Sequence, residues 1–391
     1  MNYHIAARMD RMAPSGIRKV NEKALAMERA GEKVLHFEIG RPDFDTPEYI
    51  KKAADQAIAE GKVHYTSNFG LMELRQAIAD KLQRENHVDY KASEVLVTVG
   101  LSEAVFAVLA ALLDEGDELL VPDPVWLNYI NVPNLLGAKA VTYSLKEENG
   151  YQMDLDEVRA KITSKTRGIV IVTPNNPTGV VYSRQTLEGL AELLRRKSTQ
   201  FGHPIYLIAD EPYRELVYDG VEVPFLPTIY PNTLVCYSYS KSLSLPGERI
   251  GYVCVPSCVE GQADVLHAVA GAARSSGHVC PPTLVQLALQ RCADARPDLA
   301  AYDANRRLLY RELTQMGYEC IPPQGAFYLF VRVPDGDDVA FSQRAKLEHD
   351  LLVVPSTAFH CPGFLRLSYC VSHDMILRSL PAFRAIREKY Q

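Results

Sequence analysis

Tyr237-Ser238-Tyr239-Ser240-Lys241-Ser242-Leu243-Ser244-Leu245-Pro246-Gly247-Glu248-Arg249-Ile250-Gly251-Tyr252 follows directly on the apolar run Leu234-Val235-Cys236. The apolar run reads as a buried strand. It then breaks into hydroxyls, one lysine, a Pro-Gly turn and an arginine eight residues past the lysine. A core strand that ends in Ser-x-Ser-Lys delivers hydrogen-bond donors and an amine to one place. Hydroxyls and a guanidinium suit a phosphate, and a lysine condenses with a carbonyl. Taken alone, the stretch reads more readily as an exposed Ser-rich turn with a solvated lysine, so the rest of the chain decides.

Upstream, strand, turn and helix alternate. Strands are expected at 94–99, 118–121, 138–143, 168–172, 205–209 and 234–236, with helices at 47–60, 71–85, 101–114 and 184–197. Apolar runs of this kind alternating with helices indicate a mostly parallel sheet covered on both faces. Before residue 35 the chain reads as polar and helical, with a break at Ser15-Gly16 and a helix from Asn21 to Gly31. A short strand, 34–39, leads into the Pro-rich turn Gly40-Arg41-Pro42-Asp43-Phe44-Asp45-Thr46-Pro47. After about residue 256 helices dominate to Met316, interrupted at Cys280-Pro281-Pro282. Strands at 327–331, 351–354 and 364–368 and a helix at 374–389 then describe a smaller α+β domain. The expected division is an arm with part of the small domain at 1–45, a large domain at 46–280 and a small domain at 281–391.

The 391 residues are enough for two domains and a large core. Forty-two basic and 48 acidic residues give a net charge of −6, which argues against a nucleic-acid or membrane-surface partner. No uninterrupted apolar segment could span a bilayer, and Met1 to Arg8 lacks a signal-peptide layout. The 8 cysteines form no C-x-x-C and no zinc pattern, so reduced thiols, no metal and a cytoplasmic location are expected.

Ligands of open α/β sheets bind beyond the carboxyl ends of the strands. Those ends carry Gly100-Leu101-Ser102 at a helix start, Trp126 (the single Trp), Asn176, Asp210 with Tyr213, and Ser238 with Lys241. Each has an ordinary reading: a helix start, a core aromatic, a β-turn, a helix cap. Together those readings leave unexplained why all of them fall on one sheet edge. Pyridoxal 5'-phosphate carries both the phosphate and the carbonyl that the opening stretch suits.

The chain resembles the class I/II aminotransferases, the fold type I pyridoxal-phosphate enzymes, over nearly its whole length. The motifs stand in family order: Gly40-Arg41-Pro42-Asp43-Phe44; Tyr65-Thr66 with Gly70 and Leu74-Arg75; Val97-Thr98-Val99-Gly100; Pro122-Asp123-Pro124; Asn175-Asn176-Pro177-Thr178-Gly179; Asp210-Glu211-Pro212-Tyr213; Ser238-Tyr239-Ser240-Lys241 with Pro246-Gly247-Glu248-Arg249-Ile250-Gly251; and Arg366-Leu367-Ser368. Pro14 to Lys19 is similar to the branch of prokaryotic aspartate and aromatic aminotransferases. The resemblance implies an α/β large domain with a mostly parallel seven-stranded sheet between helices, plus a smaller α+β domain.

It also implies roles. Lys241 forms the aldimine and shuttles a proton, and Asp210 pairs with the pyridine nitrogen. Tyr213 and Asn176 bond the ring's phenolic oxygen, and Trp126 stacks on the ring. Ser238, Arg249 and the Gly100-Leu101-Ser102 turn hold the phosphate, and Tyr65 reaches a phosphate in the neighbouring subunit of a homodimer whose sites lie at the subunit interface. Arg366 clamps the substrate α-carboxylate beside Gly40, and Asn176 also faces the substrate. The implied reaction is ping-pong transfer of the amino group of an L-amino acid to a 2-oxo acid such as 2-oxoglutarate. A C–S β-lyase or related elimination on the same scaffold is the alternative, and a non-catalytic regulator fits poorly with intact Lys241, Asp210 and Arg366. Arg41 is a candidate for a distal carboxylate, although pairing with Asp43 is its simpler reading. The chain departs from the family pattern at Leu101, at Pro355-Ser356, in a short loop up to Arg366 and at Glu248.

Overall fold

The computed structural model describes residues 4–42, 45–292 and 295–390, apart from the side chain of Lys19. The first strand, β1 (Leu35–His36), is followed by the strands of the central sheet: β2 (Val95–Thr98), β3 (Glu118–Asp123), β4 (Lys139–Ser144), β5 (Thr166–Val172), β6 (Tyr206–Asp210), β7 (Thr233–Ser238) and β8 (Gly251–Cys254). Their order in the seven-stranded sheet is β2-β8-β7-β6-β5-β3-β4. β3 to β7 pair in parallel, and β8 is antiparallel to both β7 and β2. The expected mostly parallel seven-stranded α/β sheet is therefore what the chain forms.

The helices are α1 (Gly16–Arg29), α2 (Glu48–Ala59), α3 (Met72–Asn86), α4 (Gly100–Leu112), α5 (Asn128–Leu136), α6 (Leu155–Lys161), α7 (Arg184–Phe201), α8 (Tyr239–Ser242), α9 (Gln262–Ala273), α10 (Thr283–Leu289), α11 (Leu299–Gln315), α12 (Asp338–His349) and α13 (His373–Glu388). The two-residue period of the strands sorts their side chains between the faces of the sheet. Ile169, Ile171, Leu207, Ala209 and Val235 pack with α3 and α7 through Leu74, Ile78, Leu187 and Leu190. Val170, Ile208, Leu234, Cys236 and Val253 pack on the other face with Ala104, Val108, Leu266 and Val269 of α4 and α9. Each such aliphatic side chain contributes about 1.5–3 kcal/mol of burial.

The second body is a four-stranded antiparallel sheet, β12-β13-β10-β9, formed by β9 (Glu319–Cys320), β10 (Tyr328–Arg332), β12 (Val354–Pro355) and β13 (Phe364–Ser368). Between them lies β11 (Leu351–Leu352), which pairs in parallel with β1. The expected strand at 351–354 thus serves two sheets, with buried Val353 at the corner. Three other elements differ from expectation. Ser15 caps α1, its Oγ accepting the Arg18 N–H at 3.3 Å, so Ser15-Gly16 starts a helix and does not interrupt one. α5 carries Pro133 in its interior, which hides it from a periodicity reading. β8 follows a Pro-Gly turn and is only four residues long.

A buried ionic network lies under the opening stretch. Lys81 meets Glu215 at 2.7 Å, with both side chains 8% exposed. Tyr237 donates to the same carboxylate at 2.7 Å and lies 2.8 Å from the Ser242 Oγ, beside Lys241. Burial raises the Glu215 pKa, but Lys81 and Tyr237 outweigh it and hold the group below its ordinary value. Its contribution to stability is present above the ordinary glutamate range and is lost as pH falls through the lowered value. Lys81→Met should cost about 3–5 kcal/mol, because it leaves an unpaired buried carboxylate. Chemical denaturation measures this, and the variant should lose the parent's fall in stability on acidification from this group.

Candidate active site

Asp210 ends β6, a central strand, and is 4% exposed. Its Oδ2 accepts the Tyr129 hydroxyl at 2.7 Å, while Oδ1 is buried with no partner in the chain. Burial pushes its pKa up to about 7, against the lowering effect of Tyr129. A carboxylate held this way has one oxygen reserved for a cationic donor. Tyr129 is fully buried on α5 and meets Trp126 edge-on at 5.5 Å.

Ser238 ends the neighbouring β7 and caps α8: its Oγ accepts the Ser240 N–H at 3.2 Å. Lys241 lies in that short helix, and its Nζ donates to the Gly40 carbonyl. Desolvation lowers the amine's pKa to about 8, with Arg366 and Arg249 adding to the effect. Arg249 immediately precedes Ile250 and β8. Because β8 runs antiparallel, its beginning lies at the edge where the parallel strands end. Arg249 is thereby brought against the start of α4. Gly100 has φ +73°, and a Cβ there would lie 2.5 Å from an Arg249 guanidinium nitrogen, so only glycine fits. A helix N-terminus, two serine hydroxyls and a guanidinium converge here, the chemistry of an anion site.

Arg366 crosses from β13 and is 2% exposed. It donates to the Glu38 carbonyl at 2.7 Å and to Asn176 Oδ1 at 3.3 Å. The guanidinium lies 4.5 Å from the ring centre of Tyr328 and 5.0 Å from that of Phe359. Its Nε is buried and unpartnered. Tyr213 and Tyr328 share a hydroxyl contact at 2.9 Å.

These groups surround a cavity of about 260 Å³. It is lined by Gly40, Leu101, Ser102, Trp126, Asn176, Asp210, Tyr213, Ser238, Lys241, Arg249 and Arg366 among the residues expected from the sequence. Gly100 lies behind Arg249. Tyr65 does not line the cavity of its own chain and is 92% exposed. Arg41 is exposed, and its pairing with Asp43 lies outside the described residues. Sequence reasoning passed over Tyr328, Tyr129, Ile17 and Ser240. Tyr129 was hidden by the proline in α5, and Tyr328 reads as one more apolar position of its strand. Ile17 reaches the cavity only because α1 folds back over it.

Comparison with known proteins agrees with this geometry. The family model described as Aminotransferase class I and II matches residues 32–383. A probable aspartate/prephenate aminotransferase of Aquifex aeolicus is 35% identical, covering 100% of both chains. The aspartate/prephenate aminotransferase of Thermus thermophilus is 35% identical over 98% of each. Among solved structures, an amino transferase of Eubacterium rectale superposes with TM-score 0.94 at 41% identity over 100% of both chains. Aspartate aminotransferase of Thermus thermophilus with maleate superposes with TM-score 0.90 at 34% identity, over 98% of this chain and 100% of that one.

Fold and cavity together define an enzyme that handles a phosphorylated carbonyl cofactor on a lysine. The chain belongs to the aminotransferase class I and II family. It is a pyridoxal-phosphate-dependent transaminase, acting on amino acids and 2-oxo acids. The residues present fit that cofactor: the free Oδ1 of Asp210 suits a protonated ring nitrogen, the Gly100–Ser102 turn with Arg249 suits the phosphate, and the amine of Lys241 suits the aldehyde. Because the neutral amine is the nucleophile, loading of cofactor-free protein should accelerate as pH rises through about 8. Stopped-flow absorbance checks this. A midpoint near the ordinary lysine value would contradict the desolvation argument.

Proposed function

We propose that the chain transfers the amino group of an L-amino acid to a 2-oxo acid at this cavity, with Lys241 as its central residue. The observation that carries the reading is the convergence of a depressed amine, an unpartnered Asp210 Oδ1 and an unpartnered Arg366 Nε around one small cavity. When bound, the cofactor supplies an electron sink for the carbanion at the substrate Cα. Arg366 binds the α-carboxylate, with Asn176 fixing the guanidinium. Lys241, neutral near its depressed pKa, takes and returns the Cα proton. Asp210 holds the ring nitrogen protonated, aided by Tyr129. Tyr213 and Asn176 bond the phenolic oxygen, Trp126 covers a ring face, and Ser102, Ser238 and Arg249 hold the phosphate with the backbone of Gly100 and Leu101.

We further propose a homodimer. α2, the segment after it and the first residue of α3 expose Tyr49, Ile58, Val63, Tyr65 and Met72, and exposed large apolar side chains of this number favour a partner surface. Tyr65 then serves the partner's phosphate. The eight cysteines are free, which fits the cytoplasm. We keep as a proposal the division into an arm with part of the small domain at 1–45, a large domain at 46–280 and a small domain at 281–391, and favour one shift of it. α10 belongs with the large domain and not after a 280/281 boundary, since the Leu71 N–H donates to Gln286 at 2.8 Å and α10 packs against α2.

The test is a donor panel with 2-oxoglutarate as acceptor. The relatives' names put L-aspartate first among donors and add prephenate to the acceptors to be tried. 2-Oxo-acid formation with equimolar glutamate is expected, and Lys241→Ala should abolish it together with the imine absorbance band. Pyruvate and ammonia from cysteine or cystathionine, without glutamate, would replace the reading with β-elimination. Tyr65→Phe should weaken cofactor affinity several-fold in a protein that sediments as two chains. An unchanged affinity would remove Tyr65 from the neighbouring site.

A further inference from the structure

The turn Ser356–Phe359 lies in the short loop that departs from the family pattern, and no role in the reaction has been given to it. It touches three walls of the cavity. The Phe359 ring lies 5.0 Å from the Arg366 guanidinium, which also has the Tyr328 ring at 4.5 Å. The Phe359 carbonyl accepts the Val125 N–H at 3.1 Å, next to Trp126. Ala358 lies so close to α1 that a Cβ on Gly16 would be 2.7 Å from its own. Gly16 precedes Ile17, which lines the cavity.

The turn is itself held from behind. Asp338, 3% exposed at the start of α12, accepts the Thr357 N–H at 2.6 Å and the Thr357 hydroxyl at 2.9 Å. Ser356, fully buried, accepts the Phe364 N–H at 2.8 Å and so ties the turn to β13, the strand that carries Arg366.

We propose that Phe359 is a positioning residue for the substrate carboxylate, holding the Arg366 guanidinium flat against Tyr328, and that Asp338 fixes the turn which presents it. The proposal rests on Arg366 as the carboxylate clamp. An arginine packed against two rings keeps its plane, so the cavity-lining guanidinium with its unpartnered Nε holds one orientation. With one ring removed, the guanidinium gains rotational freedom, and the substrate must then supply the ordering. A packing role alone would lower stability and leave carboxylate affinity unchanged.

The test uses the holoenzyme and the variants Phe359→Leu, Phe359→Tyr and Asp338→Asn. Re-ordering one freed side chain on binding corresponds to roughly tenfold in affinity. Phe359→Leu should therefore raise the donor KM about tenfold with kcat within about threefold, and Asp338→Asn, which keeps an acceptor for the Thr357 N–H, should shift KM the same way by less. Phe359→Tyr, which keeps the ring, should stay within about twofold of the parent. Binding of succinate and 3-phenylpropanoate, followed through the cofactor absorbance, needs no turnover and should show the same split while cofactor affinity is unchanged. Parent-like KM and carboxylate affinity in Phe359→Leu would overturn the proposal, as would a parallel loss of cofactor affinity. A parent that turns over no donor would instead defeat the aminotransferase reading, and the carboxylate titration would still decide this one.

Discussion

A carboxylate buried at the end of a central strand is costly unless something cationic answers it. Asp210 is that carboxylate, and much of the structure is arranged to tolerate it. Tyr129 satisfies one oxygen from α5 and is locked in place by complete burial and by Trp126. The other oxygen remains free and its acidity is suppressed. A protein that carried this group for stability alone would gain by replacing it with an apolar side chain. Its presence makes sense when a protonated ring nitrogen occupies the cavity, since the low dielectric that penalises the lone charge then strengthens the pair.

The same edge collects its other charges by topology. Strands β2, β3, β5, β6 and β7 run the same way and end there, and each delivers a site residue at or just beyond its last position. Arg249 has no such route from a parallel strand. The one antiparallel strand, β8, solves this by starting at that edge, so the guanidinium arrives from the opposite chain direction. Arg366 comes from a different sheet altogether, and its place depends on how β13, the Glu38 carbonyl and the Ser356–Phe359 turn pack against the large sheet. The residues around Lys241 and Asp210 thus come chiefly from one body and Arg366 from the other.

The motif residues were legible because their chemistry is local: a serine and a lysine after a strand, an aspartate after the next, a glycine-led helix start. Tyr129 and Tyr328 were not. Each is an aromatic inside an element, and nothing in its neighbours in sequence separates a core tyrosine from one whose hydroxyl meets a site carboxylate or phenol. β8 and α5 were also missed, the first for its length and the second for its proline.

The family resemblance supplied Arg366; chain order and residue type alone were enough to indicate a mostly parallel α/β sheet and a phosphate-and-amine site at its carboxyl edge with Lys241, Asp210, Asn176 and Arg249 near it. Those conclusions follow from strand periodicity and from functional groups whose reactivity does not depend on distant neighbours. Packing in three dimensions decided the rest: the free oxygen of Asp210, the depressed amine of Lys241, the rings packed against Arg366 and the approach of Ile17 to the cavity. Most arise where segments distant in the chain meet, as Gly40 meets Lys241 and Tyr129 meets Asp210, and desolvation is a property of that assembled environment, which no single stretch of chain contains.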